Sequence, residues 1–220
     1  MQNQLKFLAI LLLLLRCSPL LSQDLGVKIG FNLTNIKIKD NEIYENRINP
    51  TFQGGLLADF RISEQYSIET GLNFSSKGYQ LSYIGNSSSN IKIHQKFVLN
   101  YLELPLSLKY GIKLGETKIY GQFGQYLGLG LFGKVKYLLV DGLDFERWKD
   151  DLDWGSNKYP YQKLDFGLIA GFGFETGPIQ AGLTYTYGLS NILLSSQVNN
   201  QLKISNHVIG LSVGYLFGRN

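Results

Sequence analysis

Two polar residues near the end of the chain have the types and spacing of a nucleophile and its base. Ser205 and His207 stand two residues apart in "SNH", and residues i and i+2 of a strand lie on the same face. A histidine can activate a serine when an acid orients the imidazole, but no carboxylate stands at a clear spacing. The pair is therefore a minor alternative, and no catalytic residue is predicted.

A glycine-rich run has the spacing of a dinucleotide-binding motif. "GLGLFG", residues 128–133, matches G-x-G-x-x-G. That fingerprint requires a helix directly after it, because the helix N-terminus binds the pyrophosphate. The following "KVKYLLV" is rich in strand formers instead. We therefore expect these glycines to lie in a strand, and we predict no cofactor.

The segment 138–160 mixes acidic and aromatic side chains. Its sequence, "LLVDGLDFERWKDDLDWGSNKYP", does not have the D-x-[DN]-x-[DN]-G spacing of a calcium loop, and no metal site is predicted. Phe145, Trp148 and Trp154 can anchor a protein or a glycan, since tryptophan is common at binding hot spots. The alternative is a solvated acidic loop whose aromatic residues cover the mouth of the fold.

Charged residues of both signs recur among small residues, in alternation with large apolar ones. If this polar face points into a closed sheet, opposite charges can pair there, and glycines relieve crowding. We predict an internal polar network of Lys28, Asp59, Arg61, Glu69, Glu103, Lys109, Lys163, Asp165 and Glu175.

Period-two alternation dominates the chain, and no helical period is sustained. It predicts strands at 25–35, 51–62, 66–83, 96–112, 117–137, 161–175, 179–191 and 204–217. Most exceed the ~5–6 residues usual in soluble sheets and reach the ~9–11 that cross a membrane as a tilted strand. Pro105 removes a ladder donor, so we expect a bulge or a local water there.

The predicted connections alternate in length. Residues 63–65, 112–116 and 176–178 form short turns, whereas the long connections are 37–50, 85–95, 138–160 and 192–203. Short turns at one end and long loops at the other are typical of outer-membrane barrels. We predict an all-β fold, an eight-stranded antiparallel up-and-down transmembrane β-barrel. A soluble, lipocalin-like barrel with its leucines inside is the alternative.

The first residues have the features of a secretory signal peptide, predicted at 1–23, which leaves the barrel domain at 24–220. Lys6 precedes an apolar run at 7–15 that is shorter than the ~20 residues needed to span a bilayer. Cleavage would remove the lone Cys17. It would also take Lys6 and Arg16 from the 21 basic residues, leaving 19 against 17 acidic ones, a charge of +2. This balance gives no basis for nucleic-acid binding.

Several stretches carry a family resemblance, covering nearly all of the chain after the signal: "GVKIGFNLTNI", "GGLLADFRIS", "NYLELPLSLKY", "LDFGLIAGFGFE", "YTYGLSNI" and "IGLSVGYLF". With them the chain resembles the PorT-like outer-membrane β-barrel family of Bacteroidota. The resemblance implies an eight-stranded barrel in the outer membrane. Some relatives serve type IX secretion, and the family supplies no catalytic motif.

These observations predict an integral protein of the cell outer membrane with a structural or accessory role, not an enzyme. Its expected partners are outer-membrane lipid, the barrel assembly machinery during insertion, and a secretion or surface-complex protein. A small-solute pore is one alternative, although eight strands usually leave no aqueous channel. A lipid-modifying enzyme at the barrel rim, using Ser205 and His207, is another.

Overall fold

The computed structural model describes residues 22–38, 45–86, 89–141, 144–156, 161–193 and 204–219. Residues 1–21 of the predicted signal peptide lie outside this part of the chain. Within it, no helix is long and apolar enough to cross a bilayer.

Regular structure in the described residues consists of ten strands. They are β1 (Ser22–Ile38), β2 (Glu45–Arg47), β3 (Asn49–Arg61), β4 (Tyr66–Asn86), β5 (Ser89–Leu114), β6 (Thr117–Asp141), β7 (Asp144–Leu152), β8 (Leu164–Thr176), β9 (Ile179–Gly188) and β10 (Ile204–Phe217).

A closed ring of antiparallel strands forms the barrel, in the order β1-β3-β4-β5-β6-β8-β9-β10. The last strand pairs with the first, from Leu25 opposite Phe217 to Ile38 opposite Ile204. Closure leaves no ring strand with an unpaired edge, as lipid requires of a spanning sheet. The predicted eight-stranded up-and-down barrel is confirmed.

Tight turns lie at the barrel end that also holds the start of β1 and the end of β10. Gly115 and Gly177 have positive φ angles of 63° and 52°. Each is the first residue of a two-residue connection, after β5 and after β8. Glycine at that position permits the turn type whose twist matches the flanking strands. The long connections lie at the opposite end.

The apolar face of the wall points outward. Leu106 and Leu108 are about half exposed, whereas Ser107 and Lys109 between and beside them are buried. On β6 the exposed apolar stripe runs from Ile119 to Leu131, which is about 40 Å of strand and about 30 Å of depth at a ~40° tilt. That depth matches a bilayer core, and the orientation excludes the lipocalin-like alternative.

Aromatic side chains flank the apolar band at both ends. Near the tight turns, Tyr66 packs on Tyr110 with ring centroids 5.0 Å apart. At the opposite end, Tyr185 and Tyr187 are exposed on β9. Such girdles lie at the two membrane interfaces of outer-membrane barrels.

Two of the predicted long loops are largely strand, which corrects the sequence analysis. β4 and β5 extend through most of 85–95, and 138–160 contains the end of β6 and all of β7. Together with β2, which pairs with β4, these strands continue beyond the apolar band as a five-stranded sheet, here called the outer sheet. Outside lipid a strand needs no apolar stripe, so this extension lacks the signal that marks the ring strands.

Pro105 lies in β5 without a shift in register, so the bulge expected there is absent. The β4–β5 pairs stop at Thr70–Leu106 and resume in the same register at Asn73–Glu103. The Thr70 hydroxyl donates a 2.7 Å hydrogen bond to the Pro105 carbonyl oxygen. That contact bridges the interval in which proline cannot donate.

Leu106→Arg should cost about 2–4 kcal/mol of unfolding free energy, because it places a charge in the lipid near mid-bilayer. Leu114→Arg is the matched control on the same strand, and it should cost about 0–1 kcal/mol because Leu114 adjoins the interfacial turn. Urea titration of the barrel folded into vesicles measures both. Equal costs would show that the apolar stripe of β5 does not cross the bilayer.

Candidate functional site

One buried lysine joins four strands in the half of the lumen nearer the tight turns. The Lys109 ammonium on β5 lies 2.8 Å from Asp59 of β3 and 3.2 Å from Glu69 of β4. It also pairs with Glu175 of β8. Its side chain is fully buried. Breaking such an arrangement would leave buried charges unpaired, so it resists opening of the lumen.

Further cations neutralise these acids. Lys28 lies 2.9 Å from Glu69, and Arg219, just beyond β10, lies 2.6 Å from Glu175 and 2.7 Å from Asp24. Burial alone would lower the pKa of Arg219, but Glu175 and Asp24 raise it above its usual value. Arg61 also pairs with Asp24, at 2.7 Å. We call these eight residues the lower cluster. Its four acids are Asp24, Asp59, Glu69 and Glu175, and its four cations are Lys28, Arg61, Lys109 and Arg219.

A second group, the upper cluster, surrounds Lys77 of β4. Its ammonium lies 2.6 Å from Glu103 and 2.9 Å from Asp165, and 4.1 Å from the centroid of the Tyr126 ring. Several neutral groups donate hydrogen bonds to Asp165, namely Ser190 at 2.5 Å, Asn206 at 2.9 Å and Tyr126 at 3.1 Å. These hydrogen bonds link the Asp165 carboxylate to β6, to the segment after β9, and to β10.

An apolar plug closes the lumen at the long-loop end. Tyr79 stacks on Phe97 with centroids 4.6 Å apart and hydrogen-bonds to Tyr161. Burial raises the pKa of the Tyr161 hydroxyl, so this group stays neutral. The plug consists of Ile36, Tyr79, Phe97, Leu99, Tyr101, Val135, Leu152, Tyr161, Ile192, Leu193 and Ile204. The lumen is thus filled at three levels, two ionic and one apolar.

The structure brings all of the predicted network residues into the two clusters except Lys163. Lys163 is exposed at the bend before β8, because the alternation that points Asp165 inward begins only at Leu164. Sequence reasoning missed Lys77, although its parity with Glu69 on one strand is a usable signal. It also missed Arg219, which follows the last strand and therefore has no alternation to mark it.

Trp154 differs from the other aromatic residues predicted to contact a partner. Its indole lies against Gly130, where an added Cβ would come within 2.7 Å of the ring, and it packs edge-on to Tyr101 at 5.7 Å. It is therefore half-buried over the lumen. Phe145 and Trp148 are exposed on β7, and Trp148 stacks on Tyr137 at 5.0 Å.

Neither sequence motif assembles a reactive site. Residues 128–133 lie within β6, where no helix follows to bind a phosphate. Ser205 Oγ is 3.5 Å from His207 Nε2, at the limit of a hydrogen bond, and the group on Nδ1 is the Tyr185 hydroxyl at 2.7 Å. A tyrosine hydroxyl does not supply the negative charge that stabilises an imidazolium. Among the described residues no acidic, histidine or cysteine cluster could hold a metal.

Lys109→Met should lower the free energy of unfolding by about 3–5 kcal/mol, because it leaves Asp59, Glu69 and Glu175 buried without their common cation. Lys113→Met on the same strand is the control, and it should change little because Lys113 is exposed. Urea unfolding in vesicles measures both. If Lys109→Met unfolds at the same urea concentration as the parent protein, the cluster does not hold the strands together.

Comparisons with solved structures find other bacterial barrels at low identity. Ail of Yersinia pestis is 13% identical, with 89% of this chain and 99% of that chain covered and a TM-score of 0.36. Neisserial surface protein A is 12% identical over 89% and 99%, with a TM-score of 0.41. The N-terminal β-barrel domain of Pseudomonas aeruginosa OprF is 8% identical over 86% and 97%, with a TM-score of 0.35.

A comparison with curated proteins finds no match. A family model described as "Outer membrane protein beta-barrel domain" matches residues 21–194, which includes seven of the eight ring strands, from β1 to β9. The chain belongs to this family of outer-membrane β-barrel proteins, and its place is the outer membrane.

Proposed function

We propose that this protein is a closed barrel that anchors the outer sheet at the cell surface and serves a structural or accessory role through contacts of that sheet. The observation that carries the proposal is the filling of the lumen at three levels, by the lower cluster, the upper cluster and the apolar plug. A barrel without a passage acts through its surfaces rather than through its interior.

The small-solute pore is the less supported function. A solute crossing the lumen would have to separate Lys77 from Asp165 and Lys109 from its acids, and each break leaves buried charges unpaired at a cost of several kcal/mol. It would then meet the stacked rings of Tyr79 and Phe97. These barriers lie in series along the same axis, so opening one of them would not create a channel.

The outer sheet offers the surface that a partner would use. Among the described strands β7 pairs with β6 alone, and an open strand edge can pair with an added strand. Phe145 is 65% exposed beside this edge and Trp148 is 44% exposed. Exposed aromatic residues at an unpaired edge suit a protein contact better than solvation alone.

A role in a secretion or surface-assembly complex is the more specific form of this proposal. The resemblance of "NYLELPLSLKY" and the accompanying stretches to PorT-like proteins supports it. An enzymatic role gains no support from the rim, because the described residue that hydrogen-bonds to Nδ1 of His207 is Tyr185, through its neutral hydroxyl.

Planar-bilayer recordings test the closed lumen. The purified barrel should give no steady conductance, whereas a general porin reconstituted in the same bilayers serves as the positive control. Steady large openings of the folded protein would overturn the proposal, since they need a continuous aqueous path past Lys109 and Lys77.

Site-specific photo-crosslinking tests the surface contact. A photoreactive residue at Phe145 should form adducts with protein in native outer membranes, because Phe145 is exposed outside the apolar band. The same residue placed at Leu106 should form adducts with lipid only. Absence of protein adducts from position 145, with lipid adducts intact at 106, would contradict a partner at β7.

A further inference from the structure

A row of lysines crosses the outward face of the outer sheet. The strand register places Lys96 of β5 opposite Lys136 of β6, and Lys136 opposite Lys149 of β7. Like charges directly opposite each other destabilise a sheet. None of the ion pairs between described residues involves one of these three lysines. The nearest acid by register is Asp151, which stands opposite Lys134 in the adjacent row.

The three lysines of this row line a groove of about 400 Å³. The groove is lined by consecutive triplets from β4, β5, β6 and β7, at 80–82, 94–96, 136–138 and 147–149. Leu81 and Tyr137, the middle residues on β4 and β6, pack against the apolar plug. Because strand neighbours alternate, the flanking residues of each triplet project outward. The register therefore places Gln80, Lys96, Lys136 and Lys149 in one outward row and Ser82, His94, Leu138 and Arg147 in the next outward row. All eight residues line the groove.

This groove begins where the apolar band ends. On β6 the exposed stripe ends with Leu131 and Phe132. A shift in the pairing with β5 at this point moves the outward face from odd-numbered to even-numbered residues, so Lys134 and Lys136 follow on the outward face. The cations therefore lie on the lateral wall of the protein, facing neighbouring lipid, rather than above the lumen. Their height is that of the headgroups at the long-loop side of the membrane.

We propose that the groove binds the phosphorylated sugar headgroup of a glycolipid in the outer leaflet. Lysine ammonium groups bind phosphate oxygens strongly, and basic pockets at headgroup height bind anionic lipids. The groove crosses four strands, a distance of about 14 Å at the usual strand spacing. That length suits a headgroup with phosphates on a disaccharide and exceeds a single phosphate. Acyl chains of the same lipid would lie on Leu131 and Phe132.

Binding is tested with the full barrel in phosphatidylcholine nanodiscs, to which lipopolysaccharide is added and counted per protein by native mass spectrometry. The parent protein should retain lipopolysaccharide, and Lys96→Gln/Lys136→Gln should reduce its affinity at least tenfold. Lys113→Gln/Lys163→Gln is the matched control, since it removes the same charge from two exposed lysines outside the groove. Equal losses in both variants would overturn the proposal.

The source of the phosphate is tested in the same assay. Millimolar inorganic phosphate should not displace lipopolysaccharide, and lipopolysaccharide stripped of its phosphates should bind at least tenfold more weakly. Displacement by inorganic phosphate, or undiminished binding of the stripped lipid, would each contradict a phosphorylated lipid headgroup as the ligand.

Lys136→Glu separates a binding role from a structural one. A glutamate here faces Lys96 on one side and Lys149 on the other, so it should raise the urea midpoint of the barrel without lipopolysaccharide. The same change should abolish lipopolysaccharide retention, because it places a negative charge among the phosphates. Retained binding in a folded Lys136→Glu barrel would overturn the proposal, and none of these outcomes depends on whether the lumen conducts.

Discussion

The Lys109 ammonium group is the contact on which the rest of the barrel depends. It lies among carboxylates from β3, β4 and β8 while belonging to β5, so one side chain spans half of the ring strands. A one-residue slip of any of these strands would turn its acid toward lipid, where a charge is costly. Buried ion pairs are weak evidence for net stability. Their contribution here is to permit one register for each strand.

The alternation of apolar and polar residues explains why the ring strands can be predicted from the amino-acid sequence. A strand that separates lipid from a polar lumen must alternate over its whole crossing, as Leu104, Leu106 and Leu108 do against Ser107 and Lys109. β7 lies outside lipid and has no such requirement, so "DFERWKDDL" resembled an acidic loop. Strand pairing with β6, which a single segment does not reveal, decides its structure.

The amino-acid sequence predicts which residues face the lumen, but not which of them contact one another. The period-two alternation of apolar and polar residues identifies which side chains point inward. It distinguishes the buried Asp59 from its more exposed neighbours on β3. It does not say where alternation begins, so it predicts Lys163 inside, whereas the chain bends before β8 and leaves Lys163 exposed. It is also silent beyond the last strand, where Arg219 folds back to Glu175 and Asp24. The inward turn of Trp154 depends on the space above Gly130, and only the packed structure contains that information.

Charge is arranged differently inside and outside the barrel. In the lower cluster each carboxylate has a matching cation, so the lumen gains nothing from a further ion and its charges serve the fold. On the outer sheet, Lys96, Lys136 and Lys149 are aligned with one another across neighbouring strands, an arrangement that costs stability until an anion joins it. An acid at any of these positions would relieve the repulsion, as Asp151 does opposite Lys134. Because this row begins where the apolar band ends, lipid phosphates are the anions that we propose to join it.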